Sequence, residues 1–186
     1  MRRLSDWLHR ISSALTIVLA IVLYGIFLTF VMVPESTVVA TYAGDWGSPD
    51  GHWFYTPDEL YHELSTWGEA GRAHYVAFRL GLDPVWALVY TLFLVTITSL
   101  ALRNAFAADD RRQQLNVITL IPMLADLGEN ALGIALVSNY PDRCDLLAWI
   151  TASLSAFKWS TLTIAHLIML YALGAALVSR LRRQFF

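Results

Sequence analysis

Hydrophobic runs separated by clusters of charged residues dominate this chain. Residues 11–33 and 84–102 are uncharged, and 115–137 carries only Asp126 and Glu129 as charged side chains. At a rise of about 1.5 Å per residue, each run is long enough to cross a hydrocarbon core of roughly 30 Å as an α-helix. The pattern therefore predicts three membrane spans.

A fourth hydrophobic run, 146–179, has Lys158 as its only charged residue and is too long for a single crossing. We expect 159–179 to cross the membrane and the preceding residues to project from it. Lys158 then lies at the interface, where we expect its ammonium group to extend towards water. An ion pair with an outer carboxylate and contact with an anionic lipid head group are the alternatives.

Between the first two spans, residues 34–83 have the pattern of a structured segment. Thr56, Pro57 and Glu59 form the signature of a capping box, which predicts the start of a helix. Apolar residues then recur at helical spacing, and we expect three of them to be buried: Leu60, Leu64 and Trp67. A second short amphipathic helix is predicted over 73–80.

These elements predict an all-α integral membrane protein, in which 1–186 form a single domain: a four-transmembrane-helix bundle with an outer amphipathic helical cap. Composition agrees, because 56% hydrophobic residues, 15% charged residues and a mean hydropathy of +0.50 exclude a disordered chain. The net charge of −2 does not favour nucleic acid as a partner. Cys144 is the single cysteine, which excludes an internal disulfide and a Cys-x-x-Cys redox site.

The arginines predict the orientation, because basic residues are retained on the cytoplasmic side of short loops. Nine arginines flank the spans on one side: Arg2, Arg3, Arg10, Arg103, Arg111, Arg112, Arg180, Arg182 and Arg183. The other side has Arg72, Arg79 and Arg143, together with ten acidic residues. We therefore expect both termini in the cytoplasm. The excess of arginine over lysine is typical of GC-rich bacterial genes and favours the inner membrane of a bacterium as the location.

Asp126, Glu129 and Asn130 are the strongest candidates for a functional site. Spacings of three and four residues place them on one face of the third span. Ionisable groups inside a membrane are costly, normally face the protein interior and mark functional sites by default. The alternative is that both acids only hydrogen-bond to neighbouring helices. Pro122 is expected to kink this helix beside the pair.

Counting residues from the cytoplasmic end of each span predicts a polar layer. Tyr24, Tyr90, Glu129 and His166 each lie about 20 Å along their helices. His166 beside Glu129 would form a proton-exchanging pair, with the tyrosines as hydrogen-bond donors. Asp126, Glu129 and His166 are therefore the candidate catalytic residues, and Asn130, Tyr24, Tyr90 and Lys158 are the candidate ligand-binding residues.

Metal and cofactor signatures are weak. His52, His62 and His74 match no compact ligand spacing, so we predict no metal site. His166 is the one histidine within a predicted span, which argues against a bis-histidine haem, and no cofactor is predicted.

Several motifs carry a resemblance to a known group of proteins. They are the Gly68-x-x-Gly71-Arg72-x-x-Tyr75 stretch, the Asp83…Tyr90 pairing and the Asp126-x-x-Glu129-Asn130 motif. In these motifs the chain resembles uncharacterised bacterial four-span membrane proteins, over about 57–137, and the resemblance implies no activity. In topology it is also similar to the EXPERA group of sterol isomerases and ligand receptors, by analogy only.

Two classes of function fit this pattern. The first is a protein that binds a lipophilic small molecule or another membrane subunit through a buried polar layer, in contact with membrane lipids. The second is a membrane enzyme, an isomerase or lyase with acid/base chemistry on a lipid-like substrate, using Glu129 or Asp126 with His166. A proton-coupled carrier is disfavoured because the sequence has no repeated half. The absence of a nucleophile motif or phosphate-binding loop favours binding.

Overall fold

The fold is entirely helical. The computed structural model describes residues 1–185, with side chains for 1–184. In that range the chain is 86% helical, with seven helices and no strands, which confirms the predicted all-α class. The helices are α1 (Arg2–Ile11), α2 (Ala14–Ala43), α3 (Pro57–Thr66), α4 (Gly68–Leu80), α5 (Leu82–Ala105), α6 (Arg111–Ser138) and α7 (Asp145–Phe185).

Four of these helices are long and apolar enough to span a membrane, namely α2, α5, α6 and α7. They contain the predicted spans, except that α2 begins at Ala14 and continues to Ala43. The protein is therefore a candidate multi-pass membrane protein on the length and composition of its helices.

A π-helical stretch, Leu28–Met32, interrupts α2 near its middle. Its wider turn is shown by the hydrogen bond from the backbone N–H of Val33 to the carbonyl of Leu28. Pro34 follows after Val33 and has no N–H to donate to the carbonyl four residues earlier, so the backbone rearranges there and the helix continues. Such stretches inside α-helices are frequent at functional sites.

A change of helix type marks the first part of α6. Residues Arg111–Leu120 form a 3₁₀ helix, and the α-helical part is Ile121–Ser138. Pro122 lies in the first turn of the α-helical part, where a missing N–H costs little. Pro122 thus lies directly after the transition from 3₁₀ to α-helix, and the kink expected there stays a prediction.

The last helix, α7, is continuous over 41 residues, which corresponds to roughly 60 Å. This is about twice the thickness of a hydrocarbon core. One continuous helix thus covers the whole fourth hydrophobic run, and the part of it that crosses the membrane stays a prediction.

The segment between the first two spanning helices contains both predicted short helices. The Thr56 hydroxyl accepts a hydrogen bond from the Glu59 N–H, and the Glu59 side chain accepts one from the Thr56 N–H, so the capping box of α3 is confirmed. The second helix, α4, begins at Gly68 rather than at residue 73. Gly68 has a φ of +65°, which lets the chain turn at the start of α4.

The buried face of α3 matches the sequence pattern. Leu60, Leu64 and Trp67 are at most 3% exposed, whereas Glu63 is partly exposed. We expect Trp67→Asp to lower the thermal unfolding midpoint of the detergent-solubilised protein much more than Glu63→Lys, because it places a charge in the core. Equal midpoints for the two variants would contradict this burial pattern.

The helices contribute to two compact units. The first unit comprises Met1–Tyr24, Val89–Pro122 and Ser160–Phe186. Its apolar core includes Ala101, Leu102 and Ala172. Hydrogen bonds tie α1 to this unit: the Ser5 hydroxyl donates to the carbonyl of Gln113 over 3.0 Å.

The second unit comprises Gly25–Leu88 and Met123–Trp159. Its core is rich in aromatic residues and joins side chains of α2, α3 and α4 to side chains of α6 and α7. The buried aromatic members are Tyr55, Tyr61, Trp67 and Tyr75. This unit holds Asp126 and Glu129 together with the outer segment between α2 and α5.

Candidate functional site

A cluster of buried charged side chains is centred on Arg79 in the second unit. Arg79, near the end of α4, is 5% exposed. Its guanidinium group pairs with Asp50 and with Asp83, whose Oδ2 lies 3.0 Å from Nη1. Nη2 also donates a hydrogen bond to the Ser48 hydroxyl over 2.8 Å. Gly81 separates the helices that carry Arg79 and Asp83, so a four-residue spacing brings the pair together across a helix junction.

Asn130 joins this cluster from α6. Its amide nitrogen donates to Asp83, and its carbonyl oxygen lies 3.5 Å from Nη1 of Arg79. The aromatic ring of Tyr75 lies under the guanidinium group, with 5.0 Å between the guanidinium carbon and the ring centroid. Arg79 is therefore held by groups from three helices and one loop.

The charges around Asp50 determine its protonation. Burial by itself would raise the pKa of Asp50, but the positive charges of Arg79 and Lys158 and the Ser48 hydrogen bond outweigh it and lower the pKa to about 2. Burial likewise would lower the pKa of Arg79, but the negative charge of Asp50 raises it well above its ordinary value. Both groups are ionised at neutral pH.

This shift predicts a pH dependence of stability. Because the pKa of Asp50 is lower in the folded state, its ionised form stabilises the fold above about pH 4, and this contribution is lost as the pH falls towards 2. Asp50→Asn should therefore flatten the decline of unfolding free energy between pH 4 and pH 2. Asp45→Asn, in the same loop but exposed, is the control. Equal slopes for Asp50→Asn and wild type would contradict the shift.

A second buried ion pair lies on the α6 face that carries Asp126 and Glu129. Nζ of Lys158 is 2.7 Å from Oε2 of Glu129 and 3.7 Å from Oδ1 of Asp126. Lys158 is only 5% exposed, so the expectation that it extends towards water is wrong. The reason is that two carboxylates of α6 face it, and it contacts them.

The backbone of Asp50 links the two charged groups. Its carbonyl accepts hydrogen bonds from Nζ of Lys158 over 3.1 Å and from the indole N–H of Trp159 over 2.9 Å, while its side chain pairs with Arg79. The loop that carries Asp50 is thus attached to both α4 and α7. Four carboxyl groups and two cationic groups meet in this network: Asp50, Asp83, Asp126, Glu129, Arg79 and Lys158.

A cavity of about 240 Å³ adjoins the Arg79 cluster. One part of its wall is apolar and includes Met32, Val39 and Phe78. Another part is formed by Asp50, Asp83 and Arg79 themselves. The α2 residues that line it lie on one face of the helix, starting within the π-helical stretch.

Two polar atoms in residues that line this cavity lack a partner. The hydroxyl group of Tyr42 and Nε of Arg79 are buried and have no hydrogen-bond partner among the described residues. Buried polar groups are nearly always hydrogen-bonded, so each such exception calls for an explanation. Both atoms have almost no accessible surface, so neither is exposed to the cavity as it stands.

Several of the predicted site residues meet in the second unit. Asp126, Glu129 and Lys158 contact one another, and Asn130 joins the Arg79 cluster. Tyr24, Tyr90 and His166 belong to the first unit. Tyr24 stacks on Phe93 with 4.6 Å between ring centroids, Tyr90 is buried, and Nδ1 of His166 hydrogen-bonds to the carbonyl of Leu162. The pairing of Glu129 with His166 and the four-residue polar layer stay predictions.

The residues at the centre of the site are not among the candidates predicted from the sequence. Arg79 and Asp50 enter the sequence-based prediction only as outer charges, and Asp83 only through the Asp83…Tyr90 pairing. The spacing of Arg79 and Asp83 is one signal, because a four-residue interval permits an ion pair. The position of Asp50 in a loop gave no such signal.

No three His, Cys, Asp or Glu side chains among residues 1–185 are grouped so that they could hold a metal ion. Comparison of the chain with protein-family models, curated proteins and solved structures finds no match. The resemblance to bacterial four-span membrane proteins therefore stays a prediction.

Proposed function

We propose that this protein binds a lipophilic small molecule within the membrane and holds its polar end in the cavity beside Arg79. The observation that carries the proposal is the wall of this cavity, which is apolar at Met32 and Val39 and charged at Arg79 and Asp50. A surface of this kind suits a molecule with an apolar body and a polar end.

The volume of the cavity limits the size of the ligand that it can hold. About 240 Å³ lies below the roughly 300–1,000 Å³ typical of pockets for drug-sized ligands. We therefore expect either a small ligand or the polar end of a larger one. Arg79 is already held in place by its ion pairs with Asp50 and Asp83. This part of the wall is therefore preorganised and can orient a ligand without rearranging.

The enzyme alternative has less support in the same geometry. Acid/base catalysis by Asp126 or Glu129 requires that their carboxyl groups reach the substrate. Among the described residues, those that line the cavity include neither Asp126 nor Glu129, and both carboxyl groups form ion pairs with Lys158. Binding of another membrane subunit through the buried charged residues is the alternative within the same class of function.

The ligand test compares two neighbouring positions on α2. Val39 lines the cavity and is 9% exposed, whereas Val38 is 40% exposed and does not line it. Lipophilic compounds that copurify with the detergent-solubilised protein are extracted and identified by mass spectrometry. We expect a compound that is retained by wild type and by Val38→Phe but lost from Val39→Phe.

Equal retention of the compound by Val38→Phe and Val39→Phe would contradict the proposal. If all three proteins retain the same compounds in the same amounts, the cavity does not hold them. The thermal unfolding midpoint of Val39→Phe shows whether the variant is folded, and Met32→Phe provides a second way to fill the cavity.

We also infer that the protein lies in the inner membrane of a bacterium, with both termini in the cytoplasm. Nine arginines on the inner side against three on the outer side support this orientation. Reporter fusions after Arg112 and after Arg183 should report a cytoplasmic position, and a cysteine introduced at Gly51 should react with an impermeant reagent from outside. An external reporter at either fusion would contradict the orientation.

A further inference from the structure

The inner part of α7 has an apolar face that ends in arginine. Leu170, Gly174, Val178 and Arg182 follow one another at intervals of four residues, so they form one row along the helix. Tyr171, Ala175, Ser179 and Arg183 form the adjacent row. Each row starts with a large apolar or aromatic side chain and ends with a guanidinium group.

These two rows form one side of a groove of about 830 Å³ in the first unit. Ala105 and Phe106, at the end of α5, contribute to the other side, together with Arg112 of α6. At Gly174 no heavy atom lies within 4 Å of the position that a Cβ would occupy, so the groove is open there. Leu170 and Val178 are 58% and 49% exposed along it.

The charge at the arginine end of the groove is not neutralised by the described part of the chain. Arg112 pairs with Asp110 through Nη2 at 2.5 Å and stacks on the ring of Phe106. Arg182 and Arg183 are exposed, and no carboxylate among the described residues lies within ion-pair distance of either. Two cationic groups at one end of an apolar groove favour an occupant that is anionic at one end and apolar along its length.

The length of the groove points to a lipid. The interval from Leu170 to Arg182 corresponds to roughly 18 Å along the helix, and one leaflet of the hydrocarbon core measures roughly 15 Å. An acyl chain that lies along Gly174 and Val178 would therefore place its head group beside the arginines. A soluble anion would leave the apolar part of the groove unused.

We infer that this groove binds an anionic phospholipid, with its phosphate group between Arg182 and Arg183 and one acyl chain along Gly174. Basic pockets between membrane-spanning helices bind anionic lipid head groups in this way. The residues that line the groove include none of those that line the cavity beside Arg79, and the inference does not depend on the function proposed for that cavity.

The test measures stabilisation of the full-length protein in a neutral detergent. Thermal unfolding is followed by tryptophan fluorescence while phosphatidylglycerol, or phosphatidylcholine with the same acyl chains, is added. We expect half-maximal stabilisation at a concentration at least about tenfold lower for phosphatidylglycerol. Arg182→Gln/Arg183→Gln should raise the concentration of phosphatidylglycerol required by about 30-fold and leave that of phosphatidylcholine unchanged.

Matched variants separate this site from general effects of charge and volume. Arg2→Gln/Arg111→Gln removes the same charge from exposed positions outside the groove and should behave as wild type. Gly174→Leu fills the apolar part and should weaken the response to both lipids. Gly25→Leu, at a position where an added Cβ also meets nothing within 4 Å, should not weaken the response.

Four results would overturn the inference. The first is equal stabilisation by the two lipids, and the second is an arginine variant that behaves like its charge control. The third is stabilisation by glycerol 3-phosphate alone that equals that by the lipid, which would indicate a site for a soluble anion. The fourth is a dimer in native mass spectrometry that Gly174→Leu converts to a monomer without any bound lipid, which would assign the groove to a second copy of the chain.

Discussion

Replacing Arg79 with glutamine should lower the free energy of unfolding by about 3–5 kcal/mol. The change leaves the carboxylate of Asp83, which is 2% exposed, without its cationic partner, and it removes the group that holds Asp50. A buried charge without a partner retains its desolvation cost and gains nothing in return, which is why breaking such a pair is much more costly than the net value of the pair.

Arg143→Gln is the matched control for this prediction. Arg143 also pairs with two carboxylates, Asp58 and Asp145, but its side chain is 44% exposed. Water and salt screen exposed pairs, so we expect only a small change in stability. Equilibrium unfolding of the detergent-solubilised variants measures both effects. Similar losses for the two variants would show that the Arg79 cluster is not buried as described.

Replacing Lys158 with methionine should produce a loss of similar size, about 3–5 kcal/mol. Methionine keeps much of the volume of the aliphatic stem but removes the charge that faces Glu129 and Asp126. It also removes the hydrogen bond to the carbonyl of Asp50, which attaches the loop to α7. Trp159 still donates to that carbonyl, so the loop keeps one attachment.

A double-mutant cycle identifies the partner of Lys158. Adding Glu129→Gln to Lys158→Met should recover part of the loss, because the stranded carboxylate is then neutral. The same cycle with Glu129 and His166 tests the pairing predicted from the sequence. Coupling to Lys158 without coupling to His166 would assign Glu129 to the ion pair. Additive losses in both cycles would mean that Glu129 acts alone.

The features that the sequence predicts well are set by local rules. Thr56, Pro57 and Glu59 specify the start of α3 through hydrogen bonds within four residues, so the helix start follows from the residue types. The long apolar runs predict, in the same way, the four helices that are long and apolar enough to span a membrane. The start of α4 is predicted less well, because the positive φ of Gly68 lets the helix begin earlier than the amphipathic pattern indicates.

The features that the sequence does not predict depend on contacts between distant segments. Arg79 and Asp50 are separated by 29 residues, and nothing in their immediate neighbours indicates that they pair. Lys158 was expected at the interface because its surroundings are apolar, but the two acids of α6 that receive it lie on another helix. The spacing of Asp126 and Glu129 predicts two members of the buried network from the sequence. The other members become evident only from tertiary contacts.

The most direct test of the binding function is an experimental density map of the protein in lipid nanodiscs. We expect elongated density in the cavity lined by Met32, Val39 and Tyr42, with its polar end beside Arg79. A cavity that is closed by the neighbouring side chains, or that holds only water-sized density beside Arg79, would contradict the account.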